Sequence, residues 1–382
     1  MQPAVNLTDL MEWTLATLTA SGCQNGVALI HQRMGASTMK ISTIGIDLAK
    51  DVFQIHAADQ NGKTLQRKKF SRKEMANYFS NLEPCLIGME ACASSHYWAR
   101  KFESMGHRVK LMAPQFVKPY VKTNKNDMAD AEAICEAVTR PTMRFVCRKD
   151  VDQQTILSLH RVRQLLVTDR TAHVNQIRGL LAEFGLVMPS GRKYLSIRVP
   201  EILEDAENEL TAEMRELISD CYQRVQDLSE AIAKQENRIK QLSAQNPLCE
   251  RIEKIPGIGP LTASAFVATI GKALEFKNGR ELSAFLGLVP RQHSSGGKQN
   301  LMGISKRGDS YLRTLLIHGA RSMLRFVRAT PEKNPWLSDL MLRKNSNVAS
   351  VALANKNVRI IWALLSKDME FNPQHVSIAP AM

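Results

Sequence analysis

The order of short apolar runs between residues 41 and 112 most constrains the fold of this chain. Three strand-forming runs come first, and the second and third are separated by a turn that contains Asn61-Gly62. Helical and strand-forming segments then alternate. Strands are predicted at Ile41–Leu48, Val52–Ala58, Thr64–Phe70, Cys85–Met89 and Val109–Met112, and helices at Arg72–Asn81 and His96–Met105.

This order is that of a ribonuclease H-like α/β domain, which we assign to residues 39–150. In such a domain Asp47 lies on the first strand and Glu90 ends the fourth. Both acids adjoin otherwise apolar runs, where a carboxylate is costly to bury without a partner. We therefore expect the two carboxylates to belong to a common polar site.

A second acidic pair, Asp127 and Asp130, stands at the start of a predicted helix. Residues three apart on a helix are surface neighbours, so the two carboxylates share one face. Taken alone, an Asp-x-x-Asp sequence at this position more often caps the helix and complements its dipole. With Asp47 and Glu90, however, the pair makes a four-acid set of oxygen ligands able to hold two Mg2+ ions for phosphoryl chemistry.

The charge of the chain points to a polyanionic partner. Its 382 residues allow two or three domains, and the formal net charge is +14. Residues 39–150 contain 19 Lys and Arg against 12 acids, and residues 291–328 contain eight against one. Residues 201–250 reverse the sign, with five against twelve. We expect nucleic acid to meet the two basic regions and not the acidic middle.

Cysteine usage and hydropathy favour a cytoplasmic location. The seven cysteines are odd in number and never spaced as Cys-x-x-Cys, which argues against a zinc site or a disulfide framework. No apolar run approaches the roughly 18 residues that span a bilayer, so we expect no membrane contact and association with the nucleoid when DNA is bound. Residues 1–38 are predicted to be an accessory or disordered extension.

The middle of the chain, residues 151–246, is predicted to contain long helices and a coiled coil. One helix covers residues 153–184, and a heptad pattern extends from Glu204 to Ser243. β-branched residues at one seam position and mainly Leu at the other favour a parallel two-stranded coiled coil between subunits. An antiparallel helical hairpin within one subunit is the alternative. The seam residues are Ile218, Val225, Ile232 and Ile239, with Cys221, Leu228, Gln235 and Leu242.

Polar residues on the first long helix leave two roles open. Its arginines form either a solvated face or a phosphate-binding face. Its histidines, His160 and His173, have no clustered ligand partners, so we expect core or surface histidines and no metal site. The arginines are Arg161, Arg163, Arg170 and Arg178.

A C-terminal domain is assigned to residues 247–366, followed by a tail at 367–382. The sequence Ile255-Pro-Gly-Ile-Gly-Pro260 precedes a predicted helix at Leu261–Ile270 and is similar to a helix-hairpin-helix turn. Such turns expose backbone N–H groups that suit a phosphate, which makes Gly257 and Gly259 candidate nucleic-acid contacts. Close packing of helices is the alternative role for these glycines.

Two adjacent serines, Ser294 and Ser295, precede a glycine pair in this domain. Composition alone favours a flexible loop. The loop is nonetheless surrounded by cations that would hold a phosphate and stabilise an alkoxide: Arg291, Lys298, Lys306 and Arg307. The next predicted helix, Ser310–Arg328, carries Arg321 and Arg325 away from its apolar face, and a last amphipathic helix is predicted at Val348–Leu365.

These motifs together resemble one family. They are Gly45-Ile-Asp47, Met89-Glu90, Asn126-Asp-Met-Ala-Asp-Ala131, Pro256-Gly-Ile-Gly259, Gly287-Leu-Val-Pro290, Ser294-Ser-Gly-Gly297 and Ile304-Ser-Lys-Arg-Gly308. The chain resembles the DEDD-type insertion-sequence transposases, which have a resolvase-like N-terminal domain and a serine-bearing C-terminal transposase domain. The resemblance covers Met39 to about Leu365, and residues 1–38 fall outside it.

The resemblance implies a division of labour. Asp47, Glu90, Asp127 and Asp130 would bind Mg2+, and a serine would attack the scissile phosphate to form a phosphoserine intermediate. Ser295, directly before the first glycine, is the expected nucleophile, with Ser294 as the alternative. The family also implies a structured guide (bridge) RNA that pairs with donor and target DNA, and a homodimer or homotetramer.

Two other functions fit parts of the sequence. The four acids alone would serve a metal-dependent junction resolvase that hydrolyses DNA, with the serine loop structural. The basic charge and the glycine turn alone would serve a non-catalytic DNA- or RNA-binding protein.

Overall fold

The computed structural model of the chain describes residues 40–121, 126–296, 298 and 300–373. The predictions for residues 1–38, for the Lys122–Lys125 part of the acidic stretch and for Gly297 lie outside the described residues. From Ile41 onward the described residues belong to one compact unit.

A six-stranded mixed sheet forms the N-terminal part. The sequence predicted its first five strands, but not the two-residue sixth strand. The strands are β1 (Thr43–Leu48), β2 (Val52–Ala58), β3 (Thr64–Ser71), β4 (Leu86–Glu90), β5 (Arg108–Met112) and β6 (Phe145–Val146). They are arranged in the order β3-β2-β1-β4-β5-β6. The first three strands form an antiparallel meander, β1, β4 and β5 are parallel, and β6 returns antiparallel.

Helices cover both faces of this sheet. On one face, α1 (Arg72–Ser80) and α2 (Ser95–Ser104) bury Phe79, Trp98 and Phe102 against the side chains of β1, β2 and β4. On the other face lies α4 (Asp127–Val138), which follows the single-turn helix α3 (Pro114–Val117) and a 3-10 turn at Lys118–Tyr120.

Two strand glycines let α4 lie directly on the backbone of the sheet. A Cβ atom added at Gly45 would come within 2.2 Å of the Ala131 carbonyl oxygen, and one at Gly88 within 2.8 Å of the Val138 side chain. Gly45 and Gly88 are register partners on the adjacent parallel strands β1 and β4. The paired glycines therefore form a shallow groove that fixes the height of α4 above the sheet.

The long helices α5 (Val151–Ala182) and α7 (Ala212–Ala244) form a hairpin, with α6 (Arg192–Glu204) between them in the chain. Arg163 pairs with Glu236 at 2.6 Å, and Arg170 Nη1 lies 3.4 Å from the Ser229 hydroxyl, so the helices run antiparallel.

The heptad seam of α7 is buried within this hairpin. Ile218 and Ile239 are 0% exposed and Val225 and Ile232 are 4% and 3% exposed. The prediction of a parallel coiled coil between subunits was therefore wrong for this seam, and the alternative, an intramolecular hairpin, describes it. The heptad pattern was satisfied by a helix of the same chain.

The C-terminal part is mainly helical, as predicted. Its helices are α8 (Pro247–Glu253), α9 (Pro260–Ile270), α10 (Gly279–Phe285), α11 (Ser310–Ala329), α12 (Pro335–Arg343) and α13 (Ser346–Ser366), with a 3-10 turn at Pro331–Lys333. Helix α9 is almost wholly buried and lies against α5, α7, α8 and α11. A β-hairpin, β7 (Pro290–Gln292) and β8 (Leu301–Ile304), precedes α11.

A buried polar network ties the base of the long hairpin to the C-terminal core. His160 of α5 is 1% exposed, and its ring nitrogens lie 2.9 Å from the Tyr311 hydroxyl and 3.0 Å from the Ser264 hydroxyl. The Ser264 hydroxyl donates to the Pro260 carbonyl oxygen at 2.6 Å. Burial lowers the pKa of His160 to about 4, so the ring is neutral near pH 7. The expectation of a structural histidine at this position is confirmed.

Among the described residues, one helix, α13, is long and apolar enough to cross a membrane, although half of that stretch is buried inside the protein. The expectation that no apolar segment is long enough to span a bilayer was therefore wrong as far as length and composition are concerned. The buried half packs in the C-terminal core against α8, α10, α11 and α12, as in the core helix of a globular domain.

We predict opposite effects for the same substitution at two glycines. Gly45→Ala should lower the free energy of unfolding by about 3 kcal/mol, because backbone atoms of α4 occupy the position of the new Cβ atom and cannot rotate away. Gly179→Ala, in α5 with nothing within 4 Å, should raise it by about 0.5–1 kcal/mol through helix propensity. Urea unfolding measures both, and equal effects would contradict the close contact of α4 with β1.

Candidate functional site

A shared spacing places one acid at the end of each central parallel strand. Gly45 and Asp47 are two residues apart on β1, and Gly88 and Glu90 are two apart on β4. Residues two apart on a strand project from the same face, so both acids lie on the face that α4 covers. Each carboxylate thus lies two residues after a glycine of the groove, as the next residue on the same face of the strand.

Helix α4 brings the other two acids to the same place. It runs antiparallel to β1, because the Cys135 thiol lies 3.8 Å from the Thr43 carbonyl oxygen while Ala131 lies over Gly45. Its first turn, which carries Asp127 and Asp130, therefore reaches the carboxyl end of β1. Ligand oxygens of Asp47, Asp127 and Asp130 lie within 4.8 Å of one another.

The residue that caps α4 is Asn126, which belongs to one of the sequence motifs but was not predicted to be the cap. The Asn126 side-chain oxygen accepts a hydrogen bond from the Met128 backbone N–H at 3.1 Å. The capping role that an Asp-x-x-Asp sequence often has is thus taken by Asn126, in its preferred position before the helix. The Asp127 and Asp130 carboxylates remain directed to the cluster.

Glu90 is not one of the three acids whose ligand oxygens lie within 4.8 Å of one another, but it is near enough to be affected by the charges of Asp47 and Asp130. Burial raises the pKa of its carboxyl above the usual 4.5, and the charges of Asp47 and Asp130 raise it further. Asp127 is exposed and the other three acids are half-buried, so the cluster opens to solvent on the Asp127 side. Like charges held this close repel each other unless a cation lies between them.

The oxygen set fits a hard divalent cation. Mg2+ binds oxygen ligands at about 2.0–2.1 Å, which places neighbouring ligand oxygens about 3–4 Å apart. The 4.8 Å spread of the three aspartate oxygens needs only small side-chain rotations to reach that geometry. Donor type, spacing and repulsion all agree with a divalent metal site.

The two serines lie in a β-hairpin, where composition favoured a flexible loop. Strands β7 and β8 are antiparallel, and the ladder continues through His293 N–H to the Asn300 carbonyl oxygen and a bridge between Ser295 and Lys298. Both serines are exposed, and the Ser294 hydroxyl accepts a hydrogen bond from the Gln292 amide at 2.8 Å. The hairpin therefore presents the serines at its tip.

Two of the sequence motifs meet at the base of this hairpin. A Cβ atom at Gly287 would lie 2.3 Å from the Arg307 carbonyl oxygen, and one at Gly308 would lie 2.1 Å from the Phe285 carbonyl oxygen. Both glycines have positive φ, 72° and 80°. Arg313 Nη1 donates to the Arg307 carbonyl oxygen at 3.0 Å and to that of Leu286 at 3.1 Å. Backbone contact and this one guanidinium hold the hairpin base on α10 and α11.

The predicted nucleic-acid contacts have different surroundings. Four cations on and below the hairpin are exposed: Arg291, Lys298, Lys306 and Arg307. On α11, Arg325 is exposed and Arg321 donates to the Asn347 side chain at 3.2 Å. Gly257 has φ 89° and packs against Gly319 of α11, which favours the close-packing role, whereas Gly259 caps α9 with no atom within 4 Å of an added Cβ.

The acids and the serines belong to different elements of the chain. The acids converge at the carboxyl end of the sheet under α4, and the serines lie at the tip of the β7–β8 hairpin. The structure brings the acids to one another and the cations to the serines. The cluster of acids follows from strand alternation and helix register, and the signal that identifies it in the sequence is Gly-x-acid on two neighbouring strands.

Acids clustered beside a sheet and serines on a basic hairpin are parts suited to an enzyme that cuts and joins DNA. Comparison with known proteins agrees. A family model described as "Transposase IS116/IS110/IS902 family" matches residues 249–339, and a DEDD-type transposase model matches residues 44–185. The protein is a transposase, an enzyme of DNA recombination with DNA as its partner.

Related proteins narrow the class. A "probable family 20 transposase" of Pseudomonas aeruginosa is 48% identical over 88% of this chain and 100% of its own length. The transposase for insertion sequence element IS1111A of Coxiella burnetii is 45% identical over 88% and 93% of the two chains, and that for IS1328 of Yersinia enterocolitica is 42% identical over 87% and 99%. The chain belongs to the DEDD-type IS110 family of insertion-sequence transposases.

Repulsion within the acid cluster predicts a stabilising substitution. In buffer with EDTA near pH 7, Glu90→Gln should raise the melting temperature by about 1–3 °C, because a charge that the fold disfavours is removed. A raised folded-state pKa means that ionisation destabilises the fold. The gain should therefore disappear below about pH 4, where Glu90 is protonated in both states.

Added Mg2+ should reverse the order of the melting temperatures of the wild type and the Glu90→Gln variant. It should raise the melting temperature of the wild type and have a smaller effect on Glu90→Gln or Asp130→Asn. Glu230→Gln, an exposed acid on α7, is the control and should change neither value. A lower melting temperature for Glu90→Gln in EDTA would contradict the proposed repulsion.

Proposed function

We propose that the protein cuts and rejoins the DNA of an insertion sequence through a covalent phosphoserine intermediate, with Mg2+ held by Asp47, Glu90, Asp127 and Asp130. The observation that carries the proposal is the convergence of three aspartate oxygens within 4.8 Å at the end of β1. The order of strands, with parallel β1, β4 and β5 beside an antiparallel meander, supports a ribonuclease H-like domain at residues 39–150.

The serine step balances without a further reactant. The Ser295 Oγ–P bond forms as the bond from phosphorus to a deoxyribose oxygen breaks, and the serine proton leaves as that oxygen takes one up. Attack by a deoxyribose hydroxyl of another strand then displaces the serine. Each step replaces one phosphodiester bond by another, so strands are exchanged without hydrolysis. Ser294, which accepts a hydrogen bond from Gln292, is the alternative nucleophile.

The chain's own residues supply binding and charge. Bound Mg2+ would stabilise negative charge on phosphate oxygens. The exposed cations Arg291, Lys298, Lys306 and Arg307 are placed to grip phosphates on either side of the serines. The groups that cut DNA therefore lie on two elements, and the DNA has to bridge them.

A structured guide RNA is the further partner that we propose, together with cytoplasmic, nucleoid-associated action. The charge of +14 exceeds the four cations around the serine hairpin and suits two nucleic acids. The turn before α9, with Gly259 open to solvent, supports a helix-hairpin-helix contact to backbone phosphates. We also propose domain limits at residues 39–150, 151–246 and 247–366, with a tail at 367–382.

The competing nuclease function predicts a different product. With labelled DNA and Mg2+, the wild type should give a covalent protein–DNA adduct that survives denaturation. Ser295→Ala should lower adduct formation by at least about a thousandfold, whereas Ser294→Ala and the control Ser310→Ala should retain it. Free 5′-phosphate ends without any adduct would instead identify a metal-dependent junction resolvase, and full transposition by Asp127→Asn would favour a non-catalytic binding protein.

Self-association as a dimer or tetramer is proposed because the acids and the serines lie on different elements of the chain, although the α7 seam is not its interface. We expect a mixture of Asp130→Ala and Ser294→Ala/Ser295→Ala subunits to recover part of the recombination activity that each lacks alone. Recovery requires that acids of one subunit act with serines of another. A mixture as inactive as its components would show that each active site is built within one chain.

A further inference from the structure

Positive charge gathers where the start of α5 meets α2. Lys149, two residues before α5, places its Nζ 3.2 Å from Nε2 of His96 in the first turn of α2. The Lys149 backbone N–H donates to His96 Nδ1 at 3.2 Å, and Arg100 Nη1 donates to the Lys149 carbonyl oxygen at 2.7 Å. The two elements thus hold three basic side chains together.

The hydrogen-bond pattern leaves the Lys149 ammonium without an acceptor at His96. Burial, with the neighbouring cations, lowers the pKa of His96 to about 4, so its ring is neutral near pH 7. Because Nδ1 accepts the backbone N–H, the ring proton is on Nε2, which then offers no lone pair to Lys149. The ammonium faces a donor, and burial lowers the pKa of Lys149.

The acids that face this cluster from α2 and α11 are already engaged. Glu103 is engaged by Arg148, at 2.7 Å. Asp309 acts on Lys149, but its carboxylate caps α11 by accepting from two backbone N–H groups. Arg161 on α5 is exposed and makes no hydrogen bond or ion pair with the part of the chain that the structure describes. Arg161 is nonetheless close enough for its charge to lower the pKa of both Lys149 and His96, and Arg100 also lowers that of His96.

Arg161 also differs from the other arginines of α5. Arg163 binds Glu236, Arg170 contacts Ser229, and Arg178 donates to the Met188 carbonyl oxygen at 3.5 Å. Arg163 and Arg170 thus join α5 to α7, and Arg178 joins α5 to the segment that follows it. The sequence left a solvated and a phosphate-binding role open for this face. Neither describes these three arginines, and of the four only Arg161 remains available for a phosphate.

The cationic cluster lies between the two halves of the proposed active site. The chain passes from Glu90 to His96 through tight turns, closed by Cys92 N–H to the Glu90 carbonyl oxygen and Ser95 N–H to that of Cys92. The cluster is thus at the same edge of the sheet as the acids. On its other side, Asp309 directly follows Gly308 at the base of the serine hairpin.

We propose that Lys149 and Arg161, supported by Arg100, bind a backbone phosphate of the DNA that the enzyme cuts. A phosphate oxygen accepts the hydrogens that His96 cannot, and its negative charge is attracted to the neighbouring ammonium and guanidinium groups. A strand held there would pass between the acids and the hairpin. The site requires DNA as a partner, and it relies on the proposed active site only for its place beside the acids.

The test is DNA binding at several salt concentrations in EDTA, with a duplex of about 30 base pairs and any sequence. Lys149→Gln and Arg161→Gln should each weaken binding and reduce the slope of log K against log salt by about 1, since one phosphate contact is lost. The controls Lys240→Gln and Arg224→Gln remove the same charges from exposed positions on α7 and should leave the slope unchanged.

The outcomes separate this site from other roles. A reduced slope with DNA supports the proposal, whether or not an RNA duplex of equal length is affected too. No change with DNA, or a change with RNA alone, overturns it. Lys149→Gln should also keep or raise the melting temperature of the free protein, and a lower value with an unchanged slope would mark Lys149 as structural. Since neither metal nor strand cleavage is needed, failure here is distinct from failure of the serine adduct experiment.

Discussion

The acid cluster depends on one contact, the packing of α4 on the bare backbone of β1 at Gly45. With any side chain at that position, the helix would have to rise from the sheet or slide along it, because the contacting atoms are backbone atoms of Ala131 and Cys135. The contact also sets the register, since Cys135 meets Thr43 at one end and the first turn of α4 therefore meets Asp47 at the other. The absence of a side chain at Gly45 thus allows α4 to bring together carboxylates that are far apart in sequence.

The same arrangement costs stability. Glu90 is held near Asp47 and Asp130 in a half-buried place that disfavours its charge, and Lys149 is held against a histidine that cannot accept its hydrogens. The aromatic core under α1 and α2 and the separate helical core around α9 offset this loss of stability. An acidic cluster and a basic cluster, each unfavourable for stability, thus lie at the same edge of the sheet. Such destabilising groups of charge are characteristic of sites where a bound ligand supplies the opposite charge.

Sequence patterns predicted the sheet and the neighbourhood of the acids, because strand alternation and helix spacing are local properties of the chain. They failed where the answer depends on distant partners. The heptads of α7 specify that the helix has a helical partner, but not whether that partner belongs to the same chain. The partner is α5 of the same chain, which matches α7 in length. The hairpin strands β7 and β8 are short and exposed, so no alternation of apolar residues reveals them. The contact of His96 with Lys149 joins residues 53 apart and leaves no trace in either local sequence.

The long hairpin has a mechanical consequence. Helices α5 and α7 contain 32 and 33 residues, which at about 1.5 Å per residue gives an arm of about 48 Å. Its far end has its own apolar core with α6, while its near end is locked to the C-terminal core through His160 and through Gln153, which donates to the Val267 carbonyl oxygen at 3.2 Å. A rigid arm fixed at one end is a lever: a tilt of about 10° at the base would displace the tip by about 8 Å over that length. A force applied to the tip would therefore be delivered to α9 and α11, the two helices that carry Ser264 and Tyr311 of the buried network.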